Sequence, residues 1–165
     1  MKLLKLKPIQ SSAAELTAYI PERRKHEQNN YGRPAMLIFP GGGYRLIAGS
    51  EGEPVALEYM NAGYCTFVLE YSTGIENPFP CALRDAAASI KIIREMADEF
   101  DINPNDISIT GFSAGGHLAL SLGIFHNNKE ILENYASNQL TPANLILCYP
   151  AVTLVKPPMR REQSE

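Results

Sequence analysis

The strongest constraint on the fold of this chain is the pentapeptide Gly-Phe-Ser-Ala-Gly at residues 111–115. A β-branched run leads into it at residues 107–110, and an apolar helix rich in Ala and Leu follows it. A strand that turns this tightly into a helix leaves almost no room for side chains beside Ser113, and glycine at positions 111 and 115 meets that need. The pattern is typical of a nucleophile elbow, so Ser113 is the candidate nucleophile.

Apolar runs and amphipathic stretches predict the other elements. Strands are expected at residues 3–6, 15–20, 35–39, 65–71 and 145–150, and helices at residues 51–61, 80–100 and from 114 to about 126. Ser50 and Glu53 have capping-box spacing, residues 103–106 have turn chemistry, and the charged residues 21–33 indicate a solvated loop. The alternation predicts one α/β domain with a mostly parallel sheet and helices on both faces.

The composition argues against several classes of partner. Hydrophobic residues make up 45% of the 165 residues and charged residues 20%, which suits a single domain with its own core. The net charge of -3 gives no electrostatic reason to expect nucleic acid or an anionic membrane. We therefore expect neither nucleic acid nor a membrane as a partner. The elbow at Ser113 points instead to a small-molecule ester, and we expect no cofactor and no metal.

The cysteines and the N-terminus favour a cytoplasmic location. Cys65, Cys81 and Cys148 are odd in number and lie in apolar runs, which favours buried free thiols over a disulfide or a metal site. The N-terminal residues alternate Lys and Leu, without the apolar stretch of a signal peptide. No apolar run approaches the ~18 residues of a membrane span.

A glycine run at residues 41–43 follows the apolar strand at residues 35–39. Bare backbone N–H groups suit an oxyanion hole because they are fixed before the reaction, and the N–H of Ala114 supplies a further donor. The alternative of a phosphate-binding loop is less favoured, because no Lys-Ser/Thr follows and the G-x-G-x-x-G pattern is absent. A further alternative is that Ser113 is only a turn residue.

A general base and acid are hard to find in this sequence. His26 lies in the polar loop, His117 is expected to be a satisfied buried residue one turn after Ser113, and His126 lies ~20 Å along the helix. No Asp follows Ser113, and the glutamates after it are Glu130, Glu133, Glu162 and Glu165. Upstream, Asp85 is interpreted as a helix-face charge and Asp106 as a turn residue.

Four segments together resemble the α/β-hydrolase fold, in its esterase/lipase branch near the acetyl-xylan and feruloyl-type carbohydrate esterases. They are Phe-Pro-Gly-Gly-Gly-Tyr at 39–44, Ser-Glu-Gly-Glu-Pro-Val-Ala at 50–56, the strand at 63–71, and the elbow with its helix at 111–119. The resemblance implies that Ser113 is the nucleophile and that Gly42, Gly43 and Ala114 line the oxyanion hole. Pro40 stands where many relatives carry His, which does not affect a hole built from backbone.

The same resemblance implies a triad ordered Ser, Asp or Glu, then His, on strands beyond the one at residue 145. The residues after 150 have neither strand periodicity nor a histidine. We therefore expect residues 1–165 to be a single, C-terminally incomplete α/β-hydrolase domain that lacks the last strands. The strand from Leu145 to Tyr149 then becomes an apolar edge, and we expect self-association or a complementing chain there.

Three hypotheses follow for the function. The first is a serine hydrolase by lineage that cleaves short acyl or acetylated carbohydrate esters through acyl-Ser113, with weak or no turnover by this chain. The second is a non-catalytic remnant that binds ligands or partners. The third is an enzyme in two pieces, with Asp and His on another polypeptide.

Overall fold

The computed structural model describes residues 1–22, 32–132 and 139–152. Its strands are β1 (Lys2–Leu6), β2 (Glu15–Ile20), β3 (Arg33–Phe39), β4 (Cys65–Glu70), β5 (Ile102–Phe112) and β6 (Leu145–Cys148). Its α-helices are α1 (Glu53–Asn61), α2 (Cys81–Glu95), α3 (Ala97–Phe100) and α4 (Ala114–Phe125), and a 3₁₀ turn at Gly49–Glu51 precedes α1. Each expected strand and helix has a counterpart among them. The solvated loop expected at residues 21–33 lies largely outside the described residues.

The described strands form one sheet in the order β1-β2-β4-β3-β5-β6. Strands β4, β3, β5 and β6 run parallel, while β2 is antiparallel to β4 and β1 is antiparallel to β2. Parallel neighbours need crossover connections, and α1 between β3 and β4 supplies one. The mostly parallel α/β sheet predicted from the sequence is confirmed, with an antiparallel pair added at one side.

Both faces of the central strand β3 are buried, which explains its continuous apolar run. Leu37 and Phe39 face the larger core cluster together with α2 and α4, whereas Met36 and Ile38 face the smaller cluster together with Ala56 of α1. Side chains alternate between the faces of a strand, so neighbouring residues join different clusters. The carboxyl end of β3 is thereby held firmly beside that of β5, where Ser113 lies.

The capping box predicted for Ser50 and Glu53 is wrong. Residues 49–51 form the 3₁₀ turn instead, and the buried Gly52 occupies the N-cap of α1 with no side-chain cap. The backbone at Gly52 has φ −100° and ψ −102°, which takes Ser50 away from the capping position. The turn leaves the carboxylate of Glu51 free to reach another part of the chain.

Two boundaries also differ from the sequence prediction. The helix expected at residues 80–100 is divided into α2 and α3 at Met96. The sequence does not reveal this break, because the apolar periodicity continues across it. Residues 103–106 lie within β5 as an irregularity, since the pairing with β3 shifts between Arg33 and Ala35. The Asn105 N–H bonds Asn103 Oδ1 at 3.0 Å, so the turn chemistry is real but sits inside a strand.

All three cysteines lie within the described residues. The three cysteines are free, but only Cys65 is buried, while Cys81 and Cys148 are half-buried. The expectation of three buried thiols is therefore right for one of them, because Cys81 begins a helix and Cys148 ends the edge strand.

Among the described residues, no helix combines the length and the apolar character that crossing a membrane would require.

Candidate active site

Ser113 lies at the turn between β5 and α4 in a strained backbone conformation, with φ 51° and ψ −112°. Positive φ is unfavourable for a residue with a side chain. A Cβ at Gly111 would lie 2.3 Å from the Gly115 carbonyl oxygen, and one at Gly115 would lie 2.0 Å from the Phe39 carbonyl oxygen. Both glycines are therefore required by close backbone contacts, as the sequence predicted.

Hydrogen bonds on both sides hold this turn. The Ser113 N–H donates to the Cys148 carbonyl at the end of β6, at 3.0 Å. The Ser113 carbonyl accepts from the N–H of His117 in α4 and from the N–H of Ala151, each at 3.0 Å. The strained conformation is thus determined by β6 and α4 together, and the half-buried Ser113 keeps its place at the carboxyl edge of the sheet.

The loop after β3 runs directly beside Ser113. A Cβ at Gly41 would lie 3.2 Å from Ser113 Cβ and 3.0 Å from the Phe112 carbonyl oxygen, so only glycine fits there. Gly42 has φ 129°, and a Cβ on it would lie 1.9 Å from the Leu46 carbonyl oxygen. Gly41 and Gly42 therefore allow a backbone approach that no side chain would permit, whereas a Cβ at Gly43 would meet nothing within 4 Å.

Hydrogen bonds to its carbonyl groups fix the orientation of this loop. The buried Tyr71 hydroxyl donates to the Pro40 carbonyl at 2.8 Å. N–H groups of the turn at residues 45–48 donate to the carbonyls of Gly41 and Gly42 at 3.0 to 3.2 Å. In a trans peptide the next N–H points the opposite way, so the N–H groups of Gly42 and Gly43 point away from that turn.

These N–H groups are available to donate hydrogen bonds to a ligand. Within the described residues, no protein acceptor is found for the N–H of Gly42 or Gly43. The N–H of Ala114 begins α4, where the first helical N–H groups have no partner within the helix and the helix dipole favours negative charge. The predicted donors therefore belong to the two segments that flank Ser113, namely the loop after β3 and the start of α4.

Glu51 is a site residue that the sequence analysis did not single out. Its Oε2 accepts the Gly41 N–H at 2.7 Å, and its Oε1 accepts the Tyr149 hydroxyl at 2.5 Å. This hydrogen bond to the carboxylate holds the pKa of the Tyr149 phenol above its usual range. No local signal in the sequence could have revealed the contact with Tyr149, because the two residues are 98 positions apart.

His117 differs from the satisfied buried histidine expected from the sequence. It is half-buried, and its Nδ1 shares a hydrogen bond of 2.8 Å with the hydroxyl of Tyr44. Partial burial lowers the pKa of its imidazole. Its ring also makes edge contacts with the rings of Tyr44 and Phe79. The imidazole is therefore engaged with the loop beside the glycine run rather than with the Ser113 hydroxyl.

A cavity of about 440 Å³ lies next to His117. Its walls include Tyr44, Pro78, Phe79, Ala82, His117 and Phe125. A more open depression of about 710 Å³ lies on the far side of Tyr44, next to Ile75 and Glu76. Tyr44 lines both spaces, and Ser113 lines neither.

The other candidate acids and bases do not converge on Ser113. His126 is bonded locally to the Gly123 carbonyl and to the Asn127 side chain, at 2.8 and 2.9 Å. Glu130 is exposed in the connection after α4. His26, Glu133, Glu162 and Glu165 lie outside the described residues. Within residues 1–22, 32–132 and 139–152, no histidine or carboxylate is hydrogen-bonded to the Ser113 hydroxyl.

Both upstream aspartates differ from their sequence interpretations. Asp85 is not an exposed helix-face charge: it is buried, and its Oδ2 accepts the Ser72 N–H at 2.9 Å. The reason is that Asp85 lies on the buried face of α2, beside the segment that follows β4. Asp106 is not in a free turn but within β5. Among the described residues, no cluster of three or more His, Cys, Asp or Glu side chains could hold a metal ion.

The fold and the elbow define an α/β hydrolase, and a family model agrees. The model of the BD-FAE family matches residues 18–157. The chain therefore belongs to the BD-FAE family, an esterase family with the α/β-hydrolase fold. The resemblance stated from the sequence is confirmed at the level of family and fold.

Similar proteins include esterases and other hydrolases. The chain is 38% identical over 125 residues to endo-1,4-beta-xylanase B of Butyrivibrio fibrisolvens, which covers 73% of the chain and 20% of that protein. It is 29% identical over 142 residues to the acetylxylan esterase of Xylanibacter ruminicola, covering 86% of the chain and 26% of the relative. The chain thus spans about a quarter or less of these curated relatives.

A solved structure extends the likeness to three dimensions. It is the crystal structure of an alpha/beta hydrolase enzyme from a Medee basin deep-sea metagenome library, with a TM-score of 0.78 and 37% sequence identity. The likeness covers 91% of this chain and 57% of the solved chain.

Proposed function

We propose that this chain carries the acyl-transfer half of a carboxylesterase site, acting on short acyl or acetylated carbohydrate esters through Ser113. The observation that carries the proposal is the strained elbow set against a glycine loop in which the N–H groups of Gly42 and Gly43 are oriented and have no acceptor among the described residues. One relative is named an acetylxylan esterase, which supports acetyl esters as the substrate class.

The proposed reaction has two steps. Ser113 Oγ attacks the ester carbonyl carbon while its proton passes to a base, and the carbonyl oxygen becomes an oxyanion facing the N–H groups of Gly42, Gly43 and Ala114. Collapse of the tetrahedral intermediate expels the alcohol, which takes up a proton. Water then attacks the acyl-serine, releases the carboxylic acid and returns the proton to Ser113.

The oxyanion donors and the proton-transfer groups contribute unequally to the proposed rate enhancement. One oxyanion-hole donor is worth ~10²–10³ in kcat. A serine without its base and acid retains ~10³–10⁴-fold catalysis over water, from the oxyanion hole and binding alone. No base is bonded to Ser113 within the described residues, so we expect this chain to turn over slowly by itself.

Covalent labelling tests this proposal. A fluorophosphonate forms an Oγ–phosphorus bond and expels fluoride, so mass spectrometry of the peptide that contains residue 113 reports the nucleophile. We expect slow labelling that Ser113→Ala abolishes and that Ser50→Ala, in the exposed turn before α1, leaves unchanged. Labelling that survives Ser113→Ala would contradict the assignment of Ser113 as the nucleophile. Rapid turnover of p-nitrophenyl acetate would contradict the expected slow rate.

We also propose a cytoplasmic location. The support comes from the thiols, since all three are free and burial raises the pKa of Cys65 to about 11. A buried thiol with so high a pKa is unreactive, and a free thiol of this kind fits a reducing compartment. Alkylation of the protein in gently lysed cells, followed by mass spectrometry, would contradict the proposal if disulfides were found.

A non-catalytic alternative rests on the β6 edge of the described sheet. We propose that β6 pairs with β6 of a second copy, because Leu145 and Ile146 are 37% and 39% exposed on a strand with no described neighbour beyond it. Exposed apolar edges template such pairing. Sedimentation should show a dimer that Ile146→Lys converts to monomer, whereas a monomeric unaltered chain at high concentration would refute the pairing.

A further inference from the structure

The carboxylate of Glu51 lies over the carboxyl end of β5, between the two strands that flank it. Gly41 follows β3 and Tyr149 follows β6, while Ser113 follows β5, and the sheet order places β5 between β3 and β6. The two oxygens of Glu51 accept the Gly41 N–H and the Tyr149 hydroxyl. One side chain therefore connects the loops on either side of the Ser113 turn.

The loop is shaped to admit this carboxylate. A Cβ at Gly41 would lie 2.7 Å from Glu51 Oε2, so any larger residue would displace it. The described residues offer Glu51 no Lys, Arg or His as an ion-pair partner. Its hydrogen bonds are those given by an amide and a phenol, and such bonds to an ionised acceptor are about twice as strong as neutral ones.

We propose that Glu51 is a positioning residue that holds the Gly41–Gly43 backbone in the orientation needed to receive an oxyanion. The proposal rests on the proposed function of Ser113. Tyr71 fixes the Pro40 carbonyl from one side, and Glu51 takes the N–H of the same peptide unit from the other. With that plane fixed, the following N–H groups of Gly42 and Gly43 keep their direction.

This role also explains the part played by Tyr149. Its hydroxyl is the second donor to Glu51, and its ring lies 6.0 Å from the ring of Phe112, the residue before Ser113. Without Tyr149, the carboxylate would keep its bond to Gly41 but lose its attachment to the β6 side. We therefore expect loss of Tyr149 to have a smaller effect than loss of Glu51, in the same direction.

Amide hydrogen exchange measured by NMR tests the loop directly, with no need for activity. Glu51→Ala should speed exchange of the Gly41 N–H by about 10- to 100-fold, as expected for a lost hydrogen bond to a charged acceptor, and should shift the Gly42 and Gly43 amide resonances. Glu51→Gln should retain part of the protection through its carbonyl oxygen. Glu58→Ala, an exposed glutamate of α1, is the matched control and should change nothing.

Phosphonylation kinetics test the consequence for the site. In Glu51→Ala and, less so, in Tyr149→Phe, the first-order rate constant for labelling should fall while the affinity for the fluorophosphonate stays the same. A merely structural role would leave that rate constant unchanged in the folded variants. Thermal melts identify variants that fail to fold, and Tyr149→Phe, which removes a single hydroxyl, keeps the test possible if Glu51→Ala does not fold.

The outcomes separate the two proposals. Unchanged Gly41 exchange in both Glu51→Ala and Tyr149→Phe would overturn the positioning role, whatever Ser113 does. Faster exchange with an unchanged labelling rate would also overturn it, because the bond would then not serve the oxyanion donors. If the unaltered chain is not labelled, the proposed function of Ser113 fails, and the Gly42 and Gly43 resonances alone decide whether Glu51 orders the loop.

Discussion

The proposed oxyanion side of Ser113 and its proposed proton-transfer side differ in the groups that the described structure provides. On the first, backbone groups of the glycine loop are held by Tyr71, by Glu51 and by the turn at residues 45–48. On the second, the described histidines are bonded elsewhere: His117 to Tyr44 and His126 to groups at the end of α4. The donors of the proposed oxyanion side come from the turns after β3 and β5, whereas no base is bonded to Ser113 within the residues that the structure describes.

The contrast shows that a site built from backbone groups is fixed by close contacts between adjacent turns. A proton relay built from side chains is not fixed in this way. Close backbone contacts at Gly111, Gly115 and Gly41 determine where the elbow and the loop meet. Such contacts leave little freedom, because carbonyl groups cannot rotate away as side chains do. Two glycine substitutions in α4 can show whether this rigidity is confined to the elbow.

Gly115→Ala and Gly123→Ala place the same methyl group at two points of α4. At Gly115 it would meet the Phe39 carbonyl oxygen at 2.0 Å, whereas at Gly123 it would meet Leu145 Cδ1 at 2.5 Å. Overpacking usually destabilises by about 1–3 kcal/mol, and we expect Gly115→Ala to exceed that range because backbone must move. At Gly123 the clash is with a movable side chain, and the higher helix propensity of Ala offsets about 1 kcal/mol of it.

Urea denaturation of the two variants measures this difference. We expect Gly115→Ala to reduce the free energy of unfolding by about 4 kcal/mol or more, or to prevent folding, and Gly123→Ala to change it by less than about 1 kcal/mol. Equal losses at the two sites would show that the elbow is no more rigid than the β6 edge.

Much of the architecture could be predicted from the sequence because its signal is local, even where the contacts that require it are not. The apolar run at residues 35–39 and the glycines around Ser113 each reflect contacts within neighbouring elements. The antiparallel placement of β1 and β2 at one side of the sheet could not be derived this way. Strand order depends on pairing between residues such as Leu16 and Leu69, which are far apart in sequence.

The parts of the site that were missed depend on long-range contacts. Glu51 was interpreted as the beginning of a helix, but its partners lie after β3 and after β6. Asp85 has the spacing of an exposed helix position, yet the packing of α2 buries it against Ser72. His117 was expected to be satisfied within the core, and Tyr44, 73 positions upstream, provides its partner instead. No periodicity encodes such pairs.

Ile109→Ala and Leu145→Ala remove side chains from the buried and the half-exposed member of one cross-strand pair. Ile109 of β5 is fully buried, while its partner Leu145 of β6 is 37% exposed. A large-to-small change in a buried site costs the transfer free energy and the cavity left behind, so we expect Ile109→Ala to lose about 3 kcal/mol. Leu145→Ala should lose about 1 kcal/mol, because water already reaches part of that side chain.

Denaturation in urea again provides the measurement, with the slope of the transition checked for constancy in both variants. A loss at Leu145 as large as that at Ile109 would mean that the β6 edge is covered in solution. In that case the second copy proposed for this edge would be favoured, and dilution of the protein should then lower the cost of Leu145→Ala.

The titration of His117 shows whether this residue could act as a base, because a histidine acting as a base should titrate near neutral pH. Partial burial lowers the pKa of this imidazole, so an NMR titration should place it below the ordinary value of about 6.5. Since the folded pKa is the lower one, the stability contribution is fully present above about pH 6.5 and is lost as the pH falls through the folded pKa. His117→Gln should therefore flatten the decline of the melting temperature in that acidic range. A pKa at or above 6.5 that changes on phosphonylation of Ser113 would instead show that the imidazole responds to the state of Ser113, and His117 would then be a candidate base.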